Sequence, residues 1–213
     1  ELKRKVCGEY LCPLGVDLLH KLDLFQTISD FSDVYGMNIH SPKGQLVQTL
    51  FPQTKINSNS IKNNYGKSLN RRIFDERLLE FAKNSGADIV MGESVKSFQY
   101  NGSSWDIETV QGTTYSTRLL IGADGRRSHV AKFIGASSKE HKDDNKRVAL
   151  HVWVQSKIHV KNLGQVHLYS DSSYIGVDPT GDNEYNVSLV CDASKIKEYG
   201  GVLSTINHYI KNS

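Results

Sequence analysis

Three apolar residues, then Gly-Ala-Asp-Gly, then a short helical pattern constrain the fold more than any other feature of this 213-residue chain. The apolar run occupies 119–121, the glycine-flanked turn occupies 122–125, and the helical pattern begins at Ser128. Consecutive apolar residues are typical of a strand buried on both faces, so the segment predicts a strand, a tight turn and a helix. Small residues in the turn let the backbone approach a ligand closely, and free amides at the start of the helix favour an anionic group there.

Asp124 in this turn has two interpretations from the residues alone. Its carboxylate can accept hydrogen bonds from ribose hydroxyls, or from water beside a phosphate. The same residues also fit an ordinary tight turn that binds nothing. Ser128 lacks the Gly-x-Ser-x-Gly surroundings of a hydrolase nucleophile, so hydrolase chemistry is not predicted.

The C-terminal third of the chain reads as a set of strands. They are predicted at 148–155, 165–169, 174–177 and 185–191, and apolar residues alternate with others at a period of two. In the last strand the residues that share one face are Tyr185, Val187, Leu189 and Cys191. This alternation predicts an antiparallel sheet with one covered face.

Helical and extended patterns alternate in the rest of the chain. Pro13 and the leucines after it predict one helix, and a second helix is predicted with Asp75 as its N-cap and Gly86 at its end. Further strands are predicted at 88–91, 95–100, 105–110 and 118–121, with hairpin turns at 101–102 and 111–112. Twice along the chain, the sequence pattern changes between mixed helix-strand material and blocks of antiparallel strands. These changes predict two interleaved domains.

Charge and cysteine content exclude several classes of protein. Lys and Arg total 26 against 23 Asp and Glu, and a net charge of +3 gives no basic stripe of the kind that binds nucleic acid. No apolar run approaches the ~20 residues of a transmembrane helix. Three cysteines, an odd number, suit a reducing compartment, so a cytoplasmic location is predicted. Neither they nor the eight histidines have the spacing of metal ligands.

The segment 118–132 resembles the Asp-Gly motif of the single-component flavoprotein monooxygenases and their relatives, the geranylgeranyl-reductase-like FAD oxidoreductases. Leu119 and Ala131 depart from the charged residues that this motif has at its two ends. Further stretches resemble the same family in the same order. They are Cys-Gly-Glu-Tyr-Leu at 7–11, Arg-x-x-x-Asp-x-x-Leu at 71–78, the strand after Gly-Glu-Ser at 92–94, and the hairpin at 174–190, which resembles the part of the substrate domain that faces the flavin.

This resemblance implies an α/β fold of mixed α+β character, in which a partial Rossmann-like FAD/NAD(P)-binding domain is interleaved with an antiparallel-sheet substrate domain. We expect residues 1–33 and 65–138 to form the first, and residues 34–64 and 147–213 to form the second. The resemblance implies FAD as cofactor and NAD(P)H as reductant. The residues that it places at the cofactor are Glu9, Arg71, Val95, Gly122, Asp124, Gly125 and Ser128. From the residues alone, Glu9 could equally cap a nearby helix and Arg71 could equally be an ordinary surface residue.

The family begins with a strand and a Gly-x-Gly-x-x-Gly fingerprint for the pyrophosphate, and this sequence contains no such fingerprint. We therefore expect the chain to be the middle of a larger enzyme and to bind FAD weakly or not at all by itself. The resemblance implies an FAD-dependent monooxygenase that uses NAD(P)H and O₂ on a small organic substrate. An FAD-dependent alkene reductase of the geranylgeranyl type and a non-catalytic binding module are the alternatives. The sequence assigns no catalytic residue and no oligomeric state.

Overall fold

A computed structural model describes residues 2–57, 60–62, 64–136, 146–157, 162–181 and 183–212, with the backbone alone at 55–57 and 60–62. The chain forms two compact units. The first comprises Glu1–Ser85 together with Asp144–Ser213, and the second comprises Gly86–Asp143. The second unit is therefore inserted, along the sequence, into the first.

The helices and strands follow one another in this order. The first unit begins with β1 (Tyr10–Leu11), α1 (Pro13–Lys21), β2 (Ser32–Val34), β3 (Gly36–His40), β4 (Leu46–Leu50), β5 (Thr54–Asn57), β6 (Ser60–Lys62), β7 (Gly66–Ser68) and α2 (Arg71–Asn84). The second unit holds β8 (Val95–Tyr100), β9 (Trp105–Thr109), β10 (Thr114–Thr117) and α3 (His129–Phe133). The first unit resumes with β11 (Arg147–Gln155), β12 (Gly164–Leu168), β13 (Tyr174–Gly181), β14 (Glu184–Asp192), α4 (Ser194–Glu198) and α5 (Val202–Lys211).

A six-stranded sheet in the order β11-β14-β13-β12-β3-β4 dominates the first unit. Every pair of neighbours is antiparallel except β12 and β3, which run parallel with His167 opposite His40. The C-terminal strands thus form the predicted antiparallel sheet. The parallel pair joins them to the hairpin β3–β4 from the N-terminal third of the chain. No local sequence pattern indicated this parallel pairing.

The two faces of this sheet have different coverings. On the helix face, alternate strand residues such as Leu150, Val187 and Leu189 pack against Ile206 and Tyr209 of α5 in one apolar core. Residues Tyr185, Val187, Leu189 and Cys191 are all buried, so the predicted shared face is confirmed. On the opposite face, called here the N-terminal face, residues 7–9 lie against β11 and β14 through side-chain hydrogen bonds.

A smaller core in the first unit surrounds α1. Pro13 begins the helix, as predicted, and Val16 and Leu19 are buried against Ile28 and Leu69. The start of α2 differs from the prediction. The Asn70 side chain caps the helix by accepting from the amides of residues 72 and 73, because its oxygen reaches the free N–H groups of the first turn. No helix in the described ranges is both long enough and apolar enough to cross a membrane.

The second unit contains an antiparallel sheet in the order β10-β9-β8, joined by turns at the predicted dipeptides 101–102 and 111–112. The predicted strands at 88–91 and 118–121 are wrong, because neither segment forms a strand. Leu119 is 72% exposed and Ile121 is 77% exposed. A strand needs a neighbour for its backbone N–H and C=O groups, and within the described residues no segment pairs with either stretch.

Candidate functional site

An open groove of about 420 Å³ in the second unit brings together several of the predicted cofactor residues. Val95 at the start of β8, Gly122 and Asp124 all line it. Arg127 adds a guanidinium to the same groove. Gly125 and Ser128 belong to the turn and helix cap that adjoin Asp124. Three of the seven predicted residues therefore line this groove, two more are neighbours of Asp124 in the turn and helix cap, and the bend at Asp124 opens onto a cleft.

The Asp124 carboxylate is held by the helix that follows it. One oxygen accepts from the Ser128 hydroxyl at 2.5 Å, and the other accepts from the amide of His129 at 2.6 Å and from that of Val130 at 3.4 Å. The hydrogen bond from Ser128 and those from the amides lower the pKa of Asp124 below its usual range. The first-turn amides that we expected to be free for an anion are thus occupied by the protein itself.

The turn still offers donors and space. Gly125 adopts a left-handed φ of +79°, and the place where its Cβ would lie is open. The amides of Gly125 and Arg126 find no hydrogen-bond acceptor among the described residues. Free amides, a nearby guanidinium and a backbone without side chains are what a phosphate and its ribose require, so the residues present fit the nucleotide part of FAD.

The other two predicted residues, Glu9 and Arg71, meet in the first unit. Glu9 is fully buried, and its Oε1 accepts from the backbone amide of Arg71, which is the first residue of α2. The Arg71 guanidinium pairs with Asp75 at 3.0 Å and lies 3.5 Å from Cys7 Sγ. Asp75, the residue predicted to cap α2, is instead the ion-pair partner inside that helix.

Protein donors saturate the Glu9 carboxylate. The Arg4 guanidinium binds both oxygens at 2.8 and 2.6 Å, Trp153 Nε1 donates at 2.7 Å, and Asn186 Nδ2 donates at 3.2 Å. Burial alone would raise the pKa of Glu9, and these N–H donors outweigh it, so the pKa lies below its usual range. The side chain anchors residues 4–9 to the N-terminal face of the sheet.

Two further titratable residues on the N-terminal face were not predicted as site residues. His151 Nδ1 lies 2.7 Å from the Ser188 hydroxyl. Asp178 faces Asn186 across β13 and β14, and its buried Oδ1 has no hydrogen-bond partner in the described part of the chain. Burial, together with the charge of Glu9, raises the pKa of Asp178 to about 7. Strand alternation alone places these residues on one face, but their partners come from distant segments.

The helix face carries a separate groove of about 730 Å³ in the first unit, here called the histidine groove. The rings of His40 and His167 stack in its wall with centroids 4.2 Å apart and planes 4° from parallel. His208 also lines it, stacked on Tyr199 at 4.0 Å. Desolvation, and then the charge of His40, lower the pKa of His167.

Known proteins resemble this chain in sequence and in fold. A model of the FAD binding domain family matches residues 31–205, more than half of the chain. A menaquinone reductase of Mycobacterium tuberculosis is 24% identical over 197 residues, which cover 87% of this chain and 45% of the relative. A digeranylgeranylglycerophospholipid reductase of Methanocella arvoryzae is 28% identical over 174 residues, which cover 78% of this chain and 42% of the relative. This chain thus spans less than half of the length of either relative.

Among solved structures, a flavoprotein/dehydrogenase from Cytophaga hutchinsonii superposes with a TM-score of 0.82 at 21% identity, over 100% of this chain and 53% of its own. That likeness confirms the predicted mixed α/β flavoprotein fold. The family match includes the Asp124 turn, the groove around it and all six strands of the large sheet. The chain therefore belongs to the FAD binding domain family of flavin-dependent oxidoreductases.

Proposed function

We propose that the full-length protein is an FAD-dependent oxidoreductase whose nucleotide-binding turn is the one at Asp124. The observation that supports it is the groove in the second unit, where Val95, Gly122 and Asp124 line one opening beside two turn amides that bond to no described residue. FAD, when bound, would take up a hydride from NAD(P)H and pass the electrons on to the substrate or to O₂. We also propose a cytoplasmic location.

In this proposal each side chain at the turn has a distinct part. Gly125 keeps the backbone bare, so that a phosphate can approach the amides of residues 125 and 126, and Gly122 lets the turn pack closely against Val130 of α3. The Asp124 carboxylate, held by Ser128, fixes the bend and presents an exposed edge to a ribose hydroxyl. Val95 supplies backbone and an apolar side chain for the adenine.

The parts that we propose for Arg71 and Glu9 lie in the first unit. Arg71 would present its guanidinium to the cofactor. Glu9 would fix the position of Arg71 by accepting from its backbone amide. In this arrangement Glu9 acts through Arg71, since donors from the protein already occupy its own oxygens.

The reaction class that we propose first is a monooxygenase, on the resemblance of residues 120–130 to the Asp-Gly motif of those enzymes. Such an enzyme would consume NAD(P)H and O₂ together with a small organic substrate. The second candidate is an FAD-dependent reductase, because both sequence relatives carry reductase names. Either class needs a substrate surface, and the six-stranded sheet of the first unit is the part of the chain that we assign to it.

The test of the cofactor assignment is the visible spectrum of the full-length protein purified with added FAD. We expect a stoichiometric yellow complex, and Asp124→Ala should weaken FAD binding by about tenfold or more, since it removes a ribose acceptor and the cap of the turn. Asp124→Asn keeps one acceptor oxygen and should lose less. Asp88→Ala, at an exposed aspartate of the same unit, is the matched control. Colourless wild-type protein would overturn the assignment.

The two reaction classes differ in their use of oxygen. With NADH or NADPH and a panel of phenolic and isoprenoid compounds, a monooxygenase consumes O₂ in step with the nicotinamide and forms a hydroxylated product. A reductase oxidises the nicotinamide equally well under argon and saturates or reduces the organic acceptor. Product formation under argon would therefore reject the monooxygenase and favour the reductase.

A further inference from the structure

One open edge of the six-stranded sheet is the strand β4, and no described segment pairs with its outer side. All five residues of β4 are exposed, with Leu46 at 55%, Val47 at 58% and Leu50 at 67%. Native proteins blunt such an edge with a charged residue, a proline or a bulge. The strand β4 contains no charged residue and no proline, and its register with β3 is regular. The edge therefore lacks the features that keep an isolated strand from pairing.

Backbone hydrogen bonds at the two ends of the β3–β4 hairpin fix which groups β4 turns outwards. The amide of Phe51 donates to the carbonyl oxygen of Tyr35 at 2.9 Å, and the amide of Ser41 donates to that of Gln45 at 2.8 Å. Because bonded pairs alternate along an antiparallel ladder, the odd-numbered residues of β4 bond to β3. The backbone groups that point to the open edge belong to the even-numbered residues, which are Leu46, Gln48 and Leu50.

The side chains of β4 are arranged symmetrically about Gln48. A leucine lies two residues away on either side, and the β-branched Val47 and Thr49 lie one residue away. In a second copy that runs antiparallel with Gln48 opposite Gln48, Leu46 lies opposite Leu50, and Val47 lies opposite Thr49. This register pairs every outward residue, whereas a shift to the next register leaves one on each copy unpaired. A two-fold contact between identical surfaces requires such a self-complementary pattern.

The residues that flank β4 are compatible with the same register. Lys43, the charged residue nearest to the strand, lies opposite Gln53 of the second copy, so no like charges meet. A stable interface has about 20–30 residues on each side, and β4 offers far fewer. The contact is therefore weak, and its population depends on the protein concentration.

We propose that β4 pairs antiparallel with β4 of a second copy of this chain, about a two-fold axis at Gln48, and joins the two six-stranded sheets in a weak dimer. Each bonded pair across the axis exchanges two backbone hydrogen bonds, as in any antiparallel ladder. The exposed leucines cover each other on one face of the joined sheet, and Val47 and Thr49 do so on the other. This pairing does not depend on the flavin, so it stands apart from the proposed function.

The first experiment measures the mass of the full-length protein by sedimentation between about 10 µM and 1 mM. We expect the wild type to shift from monomer towards dimer. Gln48→Lys and Gln48→Glu each place two like charges opposite each other, about 5.5 Å apart at the Cα atoms, and should weaken the dimer by about fivefold or more. An equimolar mixture of the two variants should associate at least as strongly as the wild type.

The matched control is Gln99→Lys, at an exposed glutamine of β8, which is an edge strand of the smaller sheet. It should dimerise like the wild type. A wild type that stays monomeric throughout, charged variants that dimerise unchanged, or a mixture that does not recover would each overturn the proposal.

The second experiment tests the register with disulfides formed by oxidised glutathione. Val47 and Thr49 of the two copies form a non-hydrogen-bonded pair with Cα atoms about 4.5 Å apart, which a disulfide can bridge. A mixture of Val47→Cys and Thr49→Cys should therefore give a covalent dimer. Either variant alone should give little, since like positions lie about 7–8 Å apart on the diagonal.

All these proteins carry Cys12→Ser, because Cys12 is an exposed thiol. Covalent dimers that form as readily from one variant alone as from the mixture would refute the register centred on Gln48. No covalent dimer from the mixture would refute the pairing of the two edges.

Discussion

The N-terminal face shows how strongly the surroundings of a single residue decide its charge. Glu9 and Asp178 are both carboxylates on that face, and their pKa values move in opposite directions. Donors from Arg4, Trp153 and Asn186 surround Glu9 and stabilise its ionised form. Asp178 is buried, has an oxygen to which no described residue donates, and lies near the charge of Glu9, so its protonated form is favoured.

This difference predicts the pH dependence of stability at one residue. Unfolded aspartate ionises near 3.8, whereas folded Asp178 does so at about 7, so between these values the folded state keeps a proton that the unfolded state has lost. The free energy of unfolding therefore falls as pH rises through this window, and levels off above it. Asp178→Asn removes the penalty, and its stability relative to wild type should increase by about 2 kcal/mol between pH 5 and pH 8.

Urea unfolding at several pH values measures that change. Asp88→Asn, at an exposed aspartate, is the control and should follow the wild type throughout. A difference between Asp178→Asn and wild type that stays constant with pH would contradict the raised pKa of Asp178.

How far a site residue can be predicted depends on how far away its partners are along the chain. The turn at Asp124 was predictable because its carboxylate binds Ser128 and His129, four and five residues later. The burial of Glu9 by Trp153, 144 residues away, and the pairing of His151 with Ser188, 37 residues away, leave no local pattern. Side chains that meet only through tertiary packing cannot be paired from one sequence.

At the scale of an element, the packing of the turn onto α3 depends on the absence of a side chain at Gly122. A Cβ there would lie 2.5 Å from Val130 Cβ, well inside van der Waals contact. Gly122→Ala should therefore destabilise the second unit by about 1–3 kcal/mol, through overpacking. Because the nearest atom is the Cβ of Val130, Val130→Gly is the change that removes the contact, and the double variant should lose less stability than the sum of the two single variants.

Hydrogen exchange of the α3 amides, with the FAD affinity of the full-length protein, measures both effects. Gly92→Ala is a useful comparison, because its Cβ would meet nothing within 4 Å and any effect there must come from its φ of +80° alone. Additive losses in the Gly122/Val130 double variant would show that the two residues do not contact each other as described.

The stacked histidines His40 and His167, where β3 pairs with β12, predict that the protein loses stability in acid. The folded pKa of His167 lies below the value of an unfolded histidine, near 6.5, so below that pH the unfolded chain binds the extra proton more readily. The free energy of unfolding should therefore decrease as pH falls from about 7 towards 5. His208, Lys195 and Asp171 are the other charged or titratable groups around the histidine groove besides the tyrosines.

An NMR titration of the histidines tests the cause. His40→Gln should raise the pKa of His167 only in part, because desolvation is the larger cause and remains. His129→Gln, in the second unit, should leave the titration of His167 unchanged. A pKa of His167 in the wild type at or above the value of an unfolded histidine would contradict this prediction.

The sequence could predict those helices, strands and turns whose formation depends on residues close to one another along the chain. The hairpin turns and the alternation of β14 depend on neighbours in sequence, and they are where the pattern placed them. The segments 88–91 and 118–121 have apolar composition without a pairing strand, and composition cannot supply that neighbour. Asp75 alone was predicted as the cap of α2, and the structure shows that the helix begins earlier, with Asn70 as its cap.

At the scale of the whole molecule, the two units differ in how much they bury. The first unit has two apolar cores, whereas among the described residues of the second unit only Thr109 is buried. Local stability follows buried apolar contact, so amides of β8, β9 and β10 should exchange at least about tenfold faster than those of β13 and β14. Hydrogen exchange on the 213-residue chain measures this difference, and similar protection in both sets would contradict it.

The parallel pairing of β3 with β12 sets an order of events during synthesis. The ribosome makes residues 36–40 more than a hundred residues before their partner strand at 164–168. Throughout that interval one edge of the nascent hairpin exposes unpaired N–H and C=O groups to any other extended polypeptide nearby. A chain whose translation pauses or ends in this stretch keeps that edge exposed and is therefore prone to aggregate. A chaperone that covers extended edges would protect it.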